Sequence, residues 1–179
     1  MASYADGEGA SAFGATANAT GALATAVGRN SKALAKSASA LGDSASASAW
    51  GATALGVGAS ARADNSIAVG SAAVTEGRES TALGRRSYAG AQSATALGTL
   101  ANASAIVSTA VGNGAKASAI QASALGNGAE ATGGSSIAIG AKARASGSDA
   151  LSSGSNANAS SMNAVAVGKA VSYTHLTLP

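Results

Sequence analysis

Thr53-Ala54-Leu55-Gly56-Val57-Gly58-Ala59-Ser60-Ala61-Arg62-Ala63-Asp64-Asn65-Ser66-Ile67-Ala68-Val69-Gly70 contains one complete copy of the unit that builds the chain. Gly56 and Gly70 are fourteen residues apart, and the same interval links Gly14, Gly28, Gly42, Gly56, Gly70, Gly84, Gly98, Gly112, Gly126, Gly140, Gly154 and Gly168 with no insertion or deletion. A short fixed period means that each unit is one coil able to bury its apolar side only against its neighbours, which defines a stacked solenoid. Function is then expected on an outer surface and not in a deep pocket.

Two strands can be read in each coil. The first precedes the glycine, as in Thr25-Ala26-Val27, Ser39-Ala40-Leu41 and Ile137-Ala138-Ile139. The second follows two turn residues and alternates small with variable positions, as in Ala59-Ser60-Ala61-Arg62-Ala63 and Ala115-Lys116-Ala117-Ser118-Ala119. Four helical turns also take about 14.4 residues, and alanine favours helix. Strict Ala-x-Ala alternation, β-branched residues beside the glycines and turn residues at every half-repeat contradict that period. Asn113-Gly114, Asn127-Gly128, Val57-Gly58 and Gly133-Gly134 supply turns. With ~4.8 Å between coils, twelve coils make a rod of roughly 55–60 Å.

The second strand is half polar, with Lys32, Arg62, Glu76, Lys116, Glu130 and Arg144 opposite the small residues. The first is apolar on both sides: large residues such as Leu55, Leu83 and Leu97 precede the glycines, and alanine faces the other way. Strands apolar on both sides are normally covered on both sides. A coil of two walls leaves one side without cover, so self-association is expected, with the alanine side as the close contact. On this reading a large charged residue at Ala96 disrupts oligomers more than one at Ser104.

Composition narrows the function. Hydrophobic residues make up 46% of the 179, but most are alanine, and one Trp, one Phe, three Tyr and two Met cannot fill a thick globular core. There is no cysteine, which removes thiol-based metal or redox chemistry. The net charge of +3 reads as scattered over short turns without an aromatic platform, a poor match to nucleic-acid binding. No run approaches the ~20 apolar residues of a membrane helix, and the N-terminus lacks a signal-peptide layout. The glycine turns lack the Gly-Lys-Ser/Thr of a phosphate loop. The chain reads as a non-enzyme with no catalytic residue, cofactor or metal.

Asn65-Ser66-Ile67-Ala68-Val69-Gly70, Ser135-Ser136-Ile137-Ala138-Ile139-Gly140 and Asn163-Ala164-Val165-Ala166-Val167-Gly168 resemble the Asn-Ser-Val-Ala-Ile-Gly signature in the head domains of trimeric autotransporter adhesins, the YadA-like group. The resemblance covers essentially residues 1–171 and recurs in register. It implies an all-β, left-handed parallel β-roll, three chains side by side, and a place on a bacterial surface outside the outer membrane as part of a longer chain. It also implies adhesion to host cells, other bacteria, a cell-surface receptor or an extracellular-matrix protein such as collagen. The neck, heptad stalk and membrane anchor of that family are not visible here. Residues 172–179 abandon the repeat and hold the only histidine, His175. They are expected to be disordered or non-native, with an early neck segment as the alternative. Ser152-Ser153-Gly154 replaces alanine and a large apolar residue with serines, and a looser coil is expected there.

Asp43, Asp64, Glu76, Glu79, Glu130 and Asp149 fall at differing repeat positions, unlike the ladder of a calcium-binding solenoid. Arg78, Glu79, Arg85, Arg86 and Tyr88 form the densest charged group. They read either as a solvated belt or, with Arg78, Arg85, Arg86 and Tyr88 as anchors, as a contact patch for an acidic or polymeric ligand. Trp50, at a turn, either packs over a coil edge or serves as an exposed adhesive aromatic. Two other functions remain open. The Thr25, Thr53, Thr81, Thr95 and Thr109 rank fits an ice-binding face, although Ile67, Leu151 and Val165 interrupt it. A passive spacer or fibre segment is the second.

Overall fold

The computed structural model describes residues 2–173 as an all-β parallel solenoid. The three-residue strands before the repeat glycines form one sheet of 12 strands, sheet one. The two-residue strands after them form a sheet of 13, sheet two. Every pairing is between consecutive coils, so Ala68 lies beside Ala54 and Ala82, and Ala61 beside Ala47 and Thr75. Sheet two runs through Ser172–Tyr173, which pairs with Asn158–Ala159, two residues beyond the boundary drawn at 171. His175 and residues 174–179 lie outside the described residues.

Hydrogen bonding continues around the turns. Gly84 N–H donates to Val69 O at 2.8 Å and Arg86 N–H to Ser71 O at 2.9 Å, one coil back. Turn amides that would otherwise need water are thus satisfied by the preceding coil. The repeat glycine is required twice over. At Gly84, φ is +136°, and a Cβ would stand 2.5 Å from the Gly98 carbonyl of the next coil. Neither the conformation nor the space admits a side chain.

Between the sheets lies a core made almost entirely of alanine, with Ala59, Ala61, Ala96 and Ala103 among many at 0% exposure. Thr75 is the largest fully buried side chain. A spacing set by methyl groups leaves no room for leucine, so large residues of sheet one must point outward. This corrects the expected close contact through alanine: Ala96 faces the interior of its own coil, and Leu97 beside it is 40% exposed. The side of sheet one without cover within the chain is the leucine side.

Ser152–Ser153 does not loosen its coil. Leu151–Ser153 keeps full register with Ile137–Ile139 and Val165–Val167. Serine is close enough to alanine in size to enter the same slot, and its cost appears as a buried Ser152 Oγ without a hydrogen-bond partner.

Candidate functional surfaces

The flattened coil presents four surfaces: the outer faces of the two sheets and two rows of turns. Sheet one shows two columns to solvent. One contains Leu55, Leu83, Leu97 and Val167, all exposed. The other mixes half-buried threonines such as Thr53 and Thr81 with exposed Ile67 and Ile137. Side chains alternate across a strand, so the buried alanine of each Thr-Ala-Leu triplet forces both flanking residues outward. The threonine rank therefore shares its face with a column of large apolar residues that runs from Phe13 to Ile139 and is broken by Ser153 before Val167. Contiguous apolar surface of this kind marks an interaction site.

Sheet two is polar. Tyr88 Oη donates to Glu76 Oε2 at 2.7 Å, and Glu76 Oε1 accepts from Arg62 Nη1 at 2.6 Å. Arg62 Nε also donates to Ser60 Oγ at 3.0 Å. The Tyr88 ring lies against Gly90, where an added Cβ would stand 2.5 Å from the ring. The hydrogen bond to Glu76, followed by burial and the Glu76 charge, raises the Tyr88 phenol above its ordinary 10.0. Further along, Lys116, Glu130 and Arg144 align on successive coils, with Arg144 Nε 3.0 Å from Glu130 Oε2.

The residues singled out in the sequence divide among three surfaces. Arg85 and Arg86 stand in the turn after Gly84, and Tyr88 on sheet two is tied to Glu76 and Arg62. Arg78 and Trp50 lie in the opposite row of turns with Asp64 between them. The Trp50 backbone N–H donates to Asp64 Oδ1 at 3.2 Å, and Arg78 Nε is 4.0 Å from Asp64 Oδ2. The Trp50 ring itself is exposed. Among the described residues, no group of three or more His, Cys, Asp or Glu is placed to hold a metal ion.

Charge is sorted around the coil, which corrects its reading as scattered. The turns after the repeat glycines carry Arg29, Arg85, Arg86, Lys142 and Lys169 against Asp43 alone. Asp43 is taken by Arg29 at 2.7 Å. The opposite turns carry Lys36 and Arg78 against Glu8, Asp64, Glu79 and Asp149. One edge is therefore cationic and the other acidic. Counting residues modulo the repeat, instead of along the chain, would have exposed this.

A solenoid of fourteen-residue parallel coils with an alanine core, glycine-locked turns and one apolar outer face defines a repeat-built β-solenoid module. Overlapping stretches of the chain from 5–31 to 145–169 match the YadA head domain repeat family. The chain belongs to that family and is a YadA head-like adhesin domain. It is similar to the crystal structure of the collagen-binding domain of the Yersinia adhesin YadA, with a TM-score of 0.56 and 24% identity over 93% of this chain and 74% of that one. No curated protein matches the chain. The family is one of adhesins and not of enzymes.

Proposed function

We propose that this domain is the adhesive head of a bacterial surface protein, assembled as a homotrimer and displayed outside the outer membrane as part of a longer chain. The observation that carries the reading is the outer face of sheet one, where Leu55, Leu83 and Leu97 form an apolar column with no cover from their own chain. Three chains with those columns facing a common axis would bury them in a closed symmetric assembly. The left-handed course of the family's β-roll and its trimeric state are adopted here by membership. The polar faces and turn rows stay outside, repeated three times around the rod, so weak single contacts add up by multivalency.

The partner proposed is an extracellular-matrix protein such as collagen, or a cell-surface receptor. The YadA domain of similar fold is collagen-binding, which favours collagen as the first probe. Arg85, Arg86 and Tyr88 on one side, and Arg78 and Trp50 on the other, are the proposed contacts, each set repeated in the trimer. Light scattering coupled to size exclusion across a dilution series should give three times the chain mass, and a folded monomer throughout would overturn the assembly. In solid-phase binding to collagen, joint replacement of Arg85, Arg86 and Tyr88 should abolish retention while the trimer mass persists. Unchanged retention would remove those residues from the contact.

A further inference from the structure

The cationic edge meets sheet two in a groove of about 510 Å³. Lys142 stands on its turn side and Arg144 on its sheet side. Asn156 and Asn158 line it one coil further on, Gly128 and Glu130 one coil back. Arg144 holds Glu130 through Nε, and its guanidinium has further N–H donors to offer as a second cationic group. Lys142 forms no ion pair among the described residues. The space beside Gly128 is open: a Cβ there would meet only Lys142 Cγ, at an ordinary contact distance of 3.7 Å. Lys142 and Lys169 stand on turns two coils apart, and Lys116 lies two coils before Arg144 in the same column of sheet two, each an axial step of about 10 Å. None of the three has an ion-pair partner among the described residues.

We propose that this groove binds an acidic polysaccharide, its sulfate or carboxylate groups on Lys142 and Arg144 and its hydroxyls on the side-chain amides of Asn156 and Asn158. The lysines on alternate coils would meet a linear polyanion repeatedly, and amides supply both donors and acceptors to hydroxyls. A nucleic acid fits less well because no aromatic ring lines the groove for base stacking. An apolar peptide finds only one apolar side chain, Ala157, in the lining of this groove. The site is separate from the collagen contact proposed above and does not rest on it.

The test uses the full chain on immobilised heparin at about 0.15 M salt. Lys142→Gln keeps the aliphatic stem and removes the charge; Lys36→Gln removes the same charge from the opposite, acidic row. The wild-type chain should bind, Lys142→Gln should weaken binding about tenfold, and Lys36→Gln should leave it nearly unchanged. Asn158→Ala, which alters no charge, should also weaken it several-fold. Circular dichroism and melting confirm that each variant is folded. Absence of heparin binding, equal losses from Lys142→Gln and Lys36→Gln, or equally tight binding of single-stranded DNA would overturn the assignment.

Discussion

Tyr88 stands on sheet two and Glu76 one residue past the strand of the preceding coil, and the phenolic hydroxyl of the first donates to Oε2 of the second at 2.7 Å. Because the donor is the protonated phenol, the bond holds that form and raises the Tyr88 titration above 10.0. A group raised on folding contributes stability that is complete below its unfolded value of about 10 and is lost as pH climbs through the folded one. Spectrophotometric titration should therefore show Tyr88 ionising late in the wild type, and Glu76→Gln should bring it down. Tyr88→Phe should cost less than about 1 kcal/mol, since both partners are partly solvated. An unchanged titration in Glu76→Gln would dissociate the two residues.

Neighbouring positions of one strand should respond in opposite ways. Ala96 is fully buried between the sheets and Leu97 is 40% exposed. Ala96→Leu inserts three carbons into a core sized for methyl groups and should destabilise the coil by about 3 kcal/mol or more. Leu97→Asp leaves the interior untouched but places a charge on the apolar face, so it should drive the proposed trimer to monomer while coil structure persists. Ser104→Asp, on the polar face of sheet two, should do neither. Thermal melting and mass in solution separate the three outcomes, and loss of folding in Leu97→Asp at every concentration would mean that the monomer has no independent stability.

Turn positions differ just as sharply. Gly84→Ala meets both a forbidden φ and the Gly98 carbonyl, and should cost on the order of 3 kcal/mol or more. Gly58, with φ of +64° and open space around its Cβ position, should accept alanine for about 1 kcal/mol. Val107 is a β-branched residue at φ of +56° in an exposed turn. Val107→Gly should therefore raise the melting temperature, by roughly 1 kcal/mol of stability.

The coil period and both strands were legible because Gly56, Gly70 and their counterparts must be glycine for local reasons that do not depend on the fold's exterior. Two-sided apolarity of the Thr-Ala-Leu triplets was equally legible. Which side is the interior was not, because either an alanine or a leucine interior satisfies the alternation. The answer depends on the distance between the two sheets, which Ala59, Ala61 and their equivalents set jointly with Ala96. The groove at Lys142 was invisible for another reason: Gly128, Lys142 and Asn156 become neighbours only when the chain is wound. Proximity in sequence groups Tyr88 with the arginines at 85 and 86, whereas winding gives it Glu76 and, through that carboxylate, Arg62.

Two serines inside the alanine core allow the cost of a buried hydroxyl to be measured in opposite directions. Thr75 Oγ1 donates to Ser66 Oγ at 2.9 Å, so Ser66→Ala leaves a buried donor without its acceptor and should destabilise by about 1–2 kcal/mol. Ser152 Oγ is buried without a partner, on a coil whose pairing is intact on both sides. Its neighbours at the same position of adjacent coils are Ala138 and Ala166. Ser152→Ala removes an unpaired polar atom, opens no cavity that alanine does not already fill elsewhere in the column, and should stabilise by about 1 kcal/mol. Chemical denaturation of the two variants beside the wild type reads both effects, with equal slopes required for the comparison. If Ser152→Ala were destabilising, that hydroxyl would have to be satisfied in solution, by a water enclosed between the sheets.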